Sequence, residues 1–316
     1  TTVYRRVSVN SGNPADGRGQ WSTTINVQSS GGDVTPINMA GGGGNGFLFI
    51  SGPVANRFLN KWVFAGVGQA ALNQVNLITA FNSGNDMGLN MSATGYYTFV
   101  FNDAGYTQTN AAYYVGVTAA PPVTVSRTAQ GILSGGRCRV TISTSAAPSA
   151  NENIYIRYRN NNNNFTAATS FVQATGSGTN WLADIPAQPI GSVTYYYIFT
   201  STRTLSELNA HTNLEQSLAA LRFDDNAGVN YSYTASLLPV LFTSFNTQKE
   251  NNSVLLNWQC AETEQLSFYE VQRSADAIKF SSIKTVQRNG TGSLASYSVR
   301  DEQTGNTTLF YRIAAH

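Results

Sequence analysis

Residues 239–260, PVLFTSFNTQKENNSVLLNWQC, and residues 307–316, TTLFYRIAAH, bound the stretch whose reading decides the fold. Val254, Leu256, Trp258 and Cys260 alternate with Leu255, Asn257 and Gln259, the two-residue period of a strand with one buried face. Further apolar runs follow at Tyr269 and Val271 (with Arg273), at Phe280, Ile283 and Val286, at Tyr297 and Val299, and at Tyr311 and Ile313. Turn formers separate them: Glu250-Asn251-Asn252-Ser253, Ser274-Ala275-Asp276, Asn289-Gly290-Thr291-Gly292 and Thr304-Gly305-Asn306. Short strands at this spacing, with no helical segment between them, argue a β-sandwich.

The runs LPVLFTSFNTQ, VLLNWQCAETE, FYEVQRSADAIKFSSI, SYSVRDE and FYRI, in this order, resemble the fibronectin type III-like module common in secreted proteins of the Bacteroidota. In that family the module usually stands just before a type IX secretion sorting domain, so the resemblance implies export by that route. The family continues past the FYRI strand into another strand, whereas the sequence given stops at His316. The expectation is a sandwich over 239–316 in which either processing removed the rest or the last strand is lacking.

Composition extends the reading to the whole chain. Over 316 residues, 41% hydrophobic content is enough for real cores. Charged residues make up 11%, less than half the usual ~25%. With a net charge of +2 the surface is polar and nearly neutral, which suits a protein that meets other surfaces. The 19 Lys and Arg are dispersed, which argues against a nucleic-acid partner. No apolar run is long enough for a membrane span. The chain opens at Thr1 with no Met and no apolar leader, the start expected of a mature secreted protein. Cys138 alternates with Val140 and Ile142, and Cys260 with Trp258, so both read as buried thiols and not as a disulfide framework.

Two further β-sandwiches are expected upstream. Residues 1–119 carry strands at Val3–Val9, Ser22–Val27, Phe47–Ile50, Tyr96–Asn102 and Ala112–Val117. Gly41–Gly44 reads as a flexible connection; no Gly-Lys-Ser/Thr follows to make a phosphate cradle. Ala119-Ala120-Pro121-Pro122 reads as a stiff linker into 120–238. There the runs TSAAPSANENIYIRYRNNNNNF, DIPAQPIGSVTYYYIFTS and NAGVNYSYT resemble an immunoglobulin-like module, also found in secreted Bacteroidota proteins. Leu205, Leu208, Leu214, Leu218 and Leu221 suggest one or two helical turns within 204–221. The fold class read from all this is all-β, tandem immunoglobulin/fibronectin III-like sandwiches joined as a rod.

Reactive chemistry finds few candidates. Histidine occurs only at His211 and His316, and no HxxxH, CxxC or GxSxG appears. Asp224-Asp225 is the one Asp-Asp pair; Asp224 with Glu215 is the glycosidase pairing to weigh, and acids at a strand start are usually turn formers. Calcium at Asp33, Asp86, Asp103 or Asp224 lacks a DxDxDG loop. No catalytic residue, metal or cofactor is assigned. Trp21, Trp62 and Trp181 are the ring candidates for a carbohydrate platform, against core packing as the commoner role. In the runs Tyr96-Tyr97, Tyr113-Tyr114 and Tyr195-Tyr196-Tyr197, strand alternation puts one residue of each adjacent pair outward.

A last expectation joins the two ends. A sandwich without its closing strand leaves an open edge at Tyr311 and Ile313, a template for another chain. In TTVYRRVSVN, Val3, Val7 and Val9 share one face, with Arg5 the exception, and Tyr4, Arg6 and Ser8 share the other. If Val3, Tyr4, Val7 and Val9 of one subunit complete the next, the contact is heterologous and a homopolymer grows. The plain alternative is that Thr1–Asn10 is the first strand of its own domain. The reading is thus an extracellular or cell-surface, non-enzymatic structural or adhesive protein. The alternative is a cell-surface carbohydrate-binding protein.

Overall fold

The computed structural model describes residues 8–9, 20–43, 45–51, 60–102, 111–133, 136–163, 165, 169–211, 213–236, 241–262, 266–289, 294–302 and 307–316. The chain is all-β, with two short helices, and divides into two compact units. One comprises residues 1–130, 139–185 and 192–234; the other comprises 131–138, 186–191 and 235–316.

The strands run in chain order β1 (Ser8–Val9), β2 (Gln20–Val27), β3 (Ile37–Met39), β4 (Phe49–Ser51), β5 (Asn60–Val63), β6 (Val75–Leu77), β7 (Ala80–Phe81), β8 (Leu89–Met91), β9 (Gly95–Asn102) and β10 (Ala112–Thr118). They continue as β11 (Val125–Ile132), β12 (Cys138–Thr144), β13 (Asn153–Asn160), β14 (Ser170–Gln173), β15 (Thr175–Ser177), β16 (Asn180–Ile185) and β17 (Val193–Ser201). Helices α1 (Leu205–Ala210) and α2 (Asn213–Leu218) precede β18 (Arg222–Asp224) and β19 (Tyr231–Thr234). The last strands are β20 (Leu241–Glu250), β21 (Ser253–Ala261), β22 (Phe268–Ser274), β23 (Ser281–Gln287), β24 (Leu294–Asp301) and β25 (Phe310–Ala315).

In the first unit a sheet ordered β1-β2-β9-β10-β6 is buried on both faces along β9 and β10. Tyr97, Phe99, Phe101, Tyr113 and Val115 enter one core, with Trp62, Met87 and Leu89, while Phe47 and Phe49 pack against it. Val100, Ala112 and Tyr114 enter a second core with Tyr155, Phe199, Leu218 and Leu221. Double covering corrects the expectation for the tyrosine runs: Tyr113 and Tyr114 are both buried, on opposite faces, and so are Tyr196 and Tyr197. GYYTFVFN and AYYVGVT hardly alternate, and a near-continuous apolar run is what a strand covered on both sides requires.

The second core therefore joins residues from 1–119 to residues from 120–238. Gly116 lets it close: a Cβ there would lie 2.5 Å from Leu221 Cδ2. The turn at 118–123 is pinned as well. Ala120 N–H donates to Ser149 Oγ at 3.1 Å, Asn151 Nδ2 to the Val117 carbonyl at 2.8 Å, and Val123 N–H to Glu152 Oε1 at 3.0 Å. Gly41 and Gly42 are likewise held, donating to the Asn45 and Asp86 carbonyls at 2.8 Å, so this glycine stretch is an anchored turn and not a loose connection.

The two helical turns expected within 204–221 are α1 and α2, with Leu208, Leu218 and Leu221 fully buried. Thr204 caps α1, and Glu207 reaches back to the Thr204 amide at 2.8 Å to complete a capping box. Beneath α2 lies Arg157, fully buried. Its guanidinium donates to Thr169 Oγ1 and Ser217 Oγ at 2.8 Å, to Gln216 Oε1 at 3.0 Å, to the Phe165 carbonyl at 3.1 Å and to Tyr197 Oη at 3.2 Å.

The second unit is a two-layered sandwich of the fibronectin III-like kind, β20-β21-β24 on β23-β22-β25. Leu256, Trp258 and Cys260 of β21 meet Tyr269 and Val271 of β22, with Tyr297 and Val299 of β24 beside them. This is the alternation of VLLNWQC realised as a one-sided core. Cys138 and Cys260 are buried and form no disulfide.

Candidate interaction surface

Residues paired across a ladder share a face of the sheet, so the register shows which side chains of the second unit point inward. On β25, Tyr311, Ile313 and Ala315 pair with Arg273, Val271 and Tyr269. Val271 and Tyr269 are fully buried, so Tyr311 and Ile313 point inward, yet both remain only half-buried. On β20, a bulge between Phe242 and Ser244 sets Phe242 opposite Cys260 and Phe245 opposite Trp258. Cys260 and Trp258 are buried, whereas Phe242 and Phe245, on the same face, stay 36% and 39% exposed.

The opposite flank differs. Tyr297 and Val299 of β24, the inward partners of Trp258 and Leu256, are buried. The lower sheet thus covers β21 and β24 but leaves β20 overhanging. Phe242 still reaches the Tyr269 ring, 6.2 Å between centroids, and Tyr269 is the ladder partner of Ala315. Tyr269 pairs as well with Val286 of β23. Half-open inward faces thus occur on two strands, Phe242 and Phe245 on β20 and Tyr311 and Ile313 on β25. Among the described residues β25 pairs with β22 alone, which leaves its other edge without a ladder partner.

Side-chain bonds tie β25 to the rest of its sandwich. Arg273 donates to both carboxylate oxygens of Asp301 at 3.0 and 2.9 Å, and Tyr311 Oη donates to Asp301 Oδ2 at 2.9 Å, tying the start of β25 to β24. Burial first, and then this bond to Asp301, pushes the Tyr311 hydroxyl up to about 12. Deeper in, Glu262 Oε1 accepts from Tyr269 Oη at 3.1 Å and from Tyr297 Oη, and Tyr269 Oη lies 2.8 Å from Cys260 Sγ. Burial raises the Cys260 thiol, so it is a packed side chain and not a reactive one.

No family model matches the chain, and no match is found among curated proteins. One solved structure it is similar to is the crystal structure of the FN1–FN3 domains of chicken CNTN1, at 10% identity. That match covers 98% of this chain and 91% of the other, with a TM-score of 0.25. At that superposition the likeness carries no argument, and the fold assignment rests on the sheets and registers above.

The remaining candidates fall as follows. Val3, Tyr4 and Val7 lie outside the described residues. Val9 lies in β1, paired with Trp21 on β2 of its own chain, so that part of the stretch joins its own sheet. Trp62 corrects the carbohydrate list: it is buried against Phe81 and Phe101 and presents no ring to solvent. Trp181 is half-buried, its indole N–H donating to the Gly178 carbonyl at 3.1 Å within its own hairpin. Trp21 pairs with Val9 and Phe101 across its ladders.

Asp224 and Glu215 have these partners. Asp224 accepts from the Arg127 amide and Tyr231 Oη, while Glu215 faces His211 at 3.3 Å. Asp33 accepts from the Asn26 amide at 2.9 Å, Asp86 lies half-buried, and Asp103 is outside the described residues. Among the described residues no three His, Cys, Asp or Glu side chains converge, and no helix is long and apolar enough to cross a membrane.

Phe242 and Phe245 were missed from sequence because their three-residue spacing breaks strand alternation. Only the bulge returns both to one face.

Proposed function

We propose that this chain is an extracellular, non-enzymatic structural or adhesive protein that assembles by strand addition at the open edge of β25, in a trough that the overhanging β20 completes. The observation that carries the reading is the half-open state of inward-facing Phe242, Phe245, Tyr311 and Ile313, set against buried Cys260, Trp258 and Val271 across the ladders. An edge with unpaired backbone groups beside an uncovered apolar floor accepts an extended segment, its main chain supplying hydrogen bonds and its alternate side chains filling the floor.

The donor is residues 1–7 of a second copy, upstream of the Ser8–Val9 pair that joins β2. Val3 and Val7 alternate in that segment as an inserted strand requires. The surface offered and the segment supplied are different, so the contact is heterologous and repeats into a filament or layer. The low charge favours such stacking, and export by the type IX route follows from the sequence resemblance. The carbohydrate-binding alternative loses Trp62 from its platform and gains no other support.

Negative-stain electron microscopy of the full chain, a chain lacking residues 1–7, and a Phe245→Asp variant tests this. Polymers of the full chain that vanish in both variants are expected. Polymers surviving the deletion overturn the donor assignment; a full chain that stays monomeric at high concentration overturns self-assembly.

A further inference from the structure

The loop between β18 and β19, in the first unit, holds two buried oxygens that accept nothing. Both strands pair with β17, Asp224 opposite Ile198 and Tyr231 opposite Tyr196, so residues 225–230 bulge from the sheet across from Tyr197. The Asn230 amide closes the neck by donating to the Asp225 carbonyl at 2.7 Å. Residues 226–229 are exposed, but Asp225 and Asn230 are only 6% and 7% exposed, so both side chains turn in beneath the loop.

Half of each side chain is accounted for. Asp225 Oδ1 accepts from the Gly228 amide at 3.1 Å, and Asn230 Nδ2 donates to Asn163 Oδ1 at 2.8 Å. Asp225 Oδ2 and Asn230 Oδ1 have no hydrogen-bond partner. A carboxylate oxygen and an amide oxygen can only accept, so neither can satisfy the other while Asp225 is ionised. Burial, with Asp224 adding like charge, raises the Asp225 carboxyl above its ordinary range. The neighbouring Asp224 is already engaged by the Arg127 amide and by Tyr231 Oη.

We propose that this loop is a site for a hard divalent cation of the calcium class, held by Asp225 Oδ2 and Asn230 Oδ1 with water completing the shell. Calcium takes carboxylate, amide and water oxygens in flexible numbers, which suits a loop that offers one of each protein type. A single carboxylate makes the site weak, about 10⁻⁴–10⁻³ M, the range of extracellular modules. Asp224, the calcium candidate read from the sequence, is the neighbouring residue and is engaged elsewhere.

Terbium is the probe, because Tyr231 and Tyr233 on β19 can sensitise its emission. Titration of the full chain is expected to saturate, with calcium displacing the signal. Asp225→Asn and Asn230→Ala are expected to weaken it at least tenfold with circular dichroism unchanged. Independently, 10 mM calcium should raise the thermal midpoint of the full chain by about 2–4 °C over that in chelator. Absence of saturable emission, equal emission from the variants, or no thermal shift overturns the proposal and leaves a buried water between the two oxygens.

Discussion

β9 with β10 and β20 with β25 hold their apolar side chains in opposite situations. GYYTFVFN and AYYVGVT are covered on both faces, so even adjacent tyrosines are buried on opposite sides. On β20 and β25 the inward face itself stays partly open, although the strands they pair with are buried on that face. Apolar sequence sets which side chains need cover; the number of layers and strands sets whether they get it. The first unit is closed where its sheet is most apolar, while in the second the inward faces of β20 and β25 stay half-open.

Truncation should expose this difference most strongly. Phe199→Ala, deep in the core shared by β9, β10 and β17, is expected to cost about 3–5 kcal/mol in chemical denaturation. A cost under about 1 kcal/mol would mean the second core is loosely filled.

The next largest effect is on pH. Burial holds the Tyr114 hydroxyl up at about 12, above the 10.0 of an exposed tyrosine. A raised folded value means the folded state keeps its proton longer than the unfolded one. The stabilisation is full below pH 10 and is lost as pH rises towards 12, about 2–3 kcal/mol for a shift of this size. Denaturation midpoints between pH 9 and 12 should fall less steeply in Tyr114→Phe; identical slopes would remove Tyr114 from the account.

Next come two substitutions of about 1–3 kcal/mol, one in each unit. Gly116→Ala drives a methyl into buried Leu221 and should destabilise the first unit. Glu262→Ala strips Tyr269 and Tyr297 of their acceptor and should destabilise the second. Chevron or equilibrium curves that resolve the two units check both; a neutral Gly116→Ala would show that the shared core can shift. Smallest is Phe245→Ala, expected under about 1 kcal/mol in the monomer because much of its burial is still to be gained. A loss equal to that of Phe199→Ala would show the trough is already filled.

The one-sided alternation of Val254, Leu256, Trp258 and Cys260 was legible because a strand with one covered face writes its own period. Tyr113 and Tyr114 were misread because alternation was assumed where a second layer, contributed by Leu218, Leu221 and Phe199 more than a hundred residues away in some pairs, covers the other face. Their lack of polar neighbours was the available signal. Half the candidate trough, Tyr311 and Ile313, was legible at a strand that ends the reading. The other half was hidden by the bulge at Phe242, a register shift that no residue type announces. Nothing in IYIRYRN marks Arg157 as buried; oxygens from Thr169, Gln216 and Ser217, distant in sequence, converge on it and satisfy it there.

Hydrogen exchange along Phe310–Ala315, compared between monomer and assembled protein, tests the central claim most directly. Strand addition predicts that amides of β25 not bonded to β22 exchange freely in the monomer and become protected on assembly, together with those of the donor segment 1–7. Unchanged exchange in β25 across a demonstrated assembly would place the contact elsewhere and contradict the account.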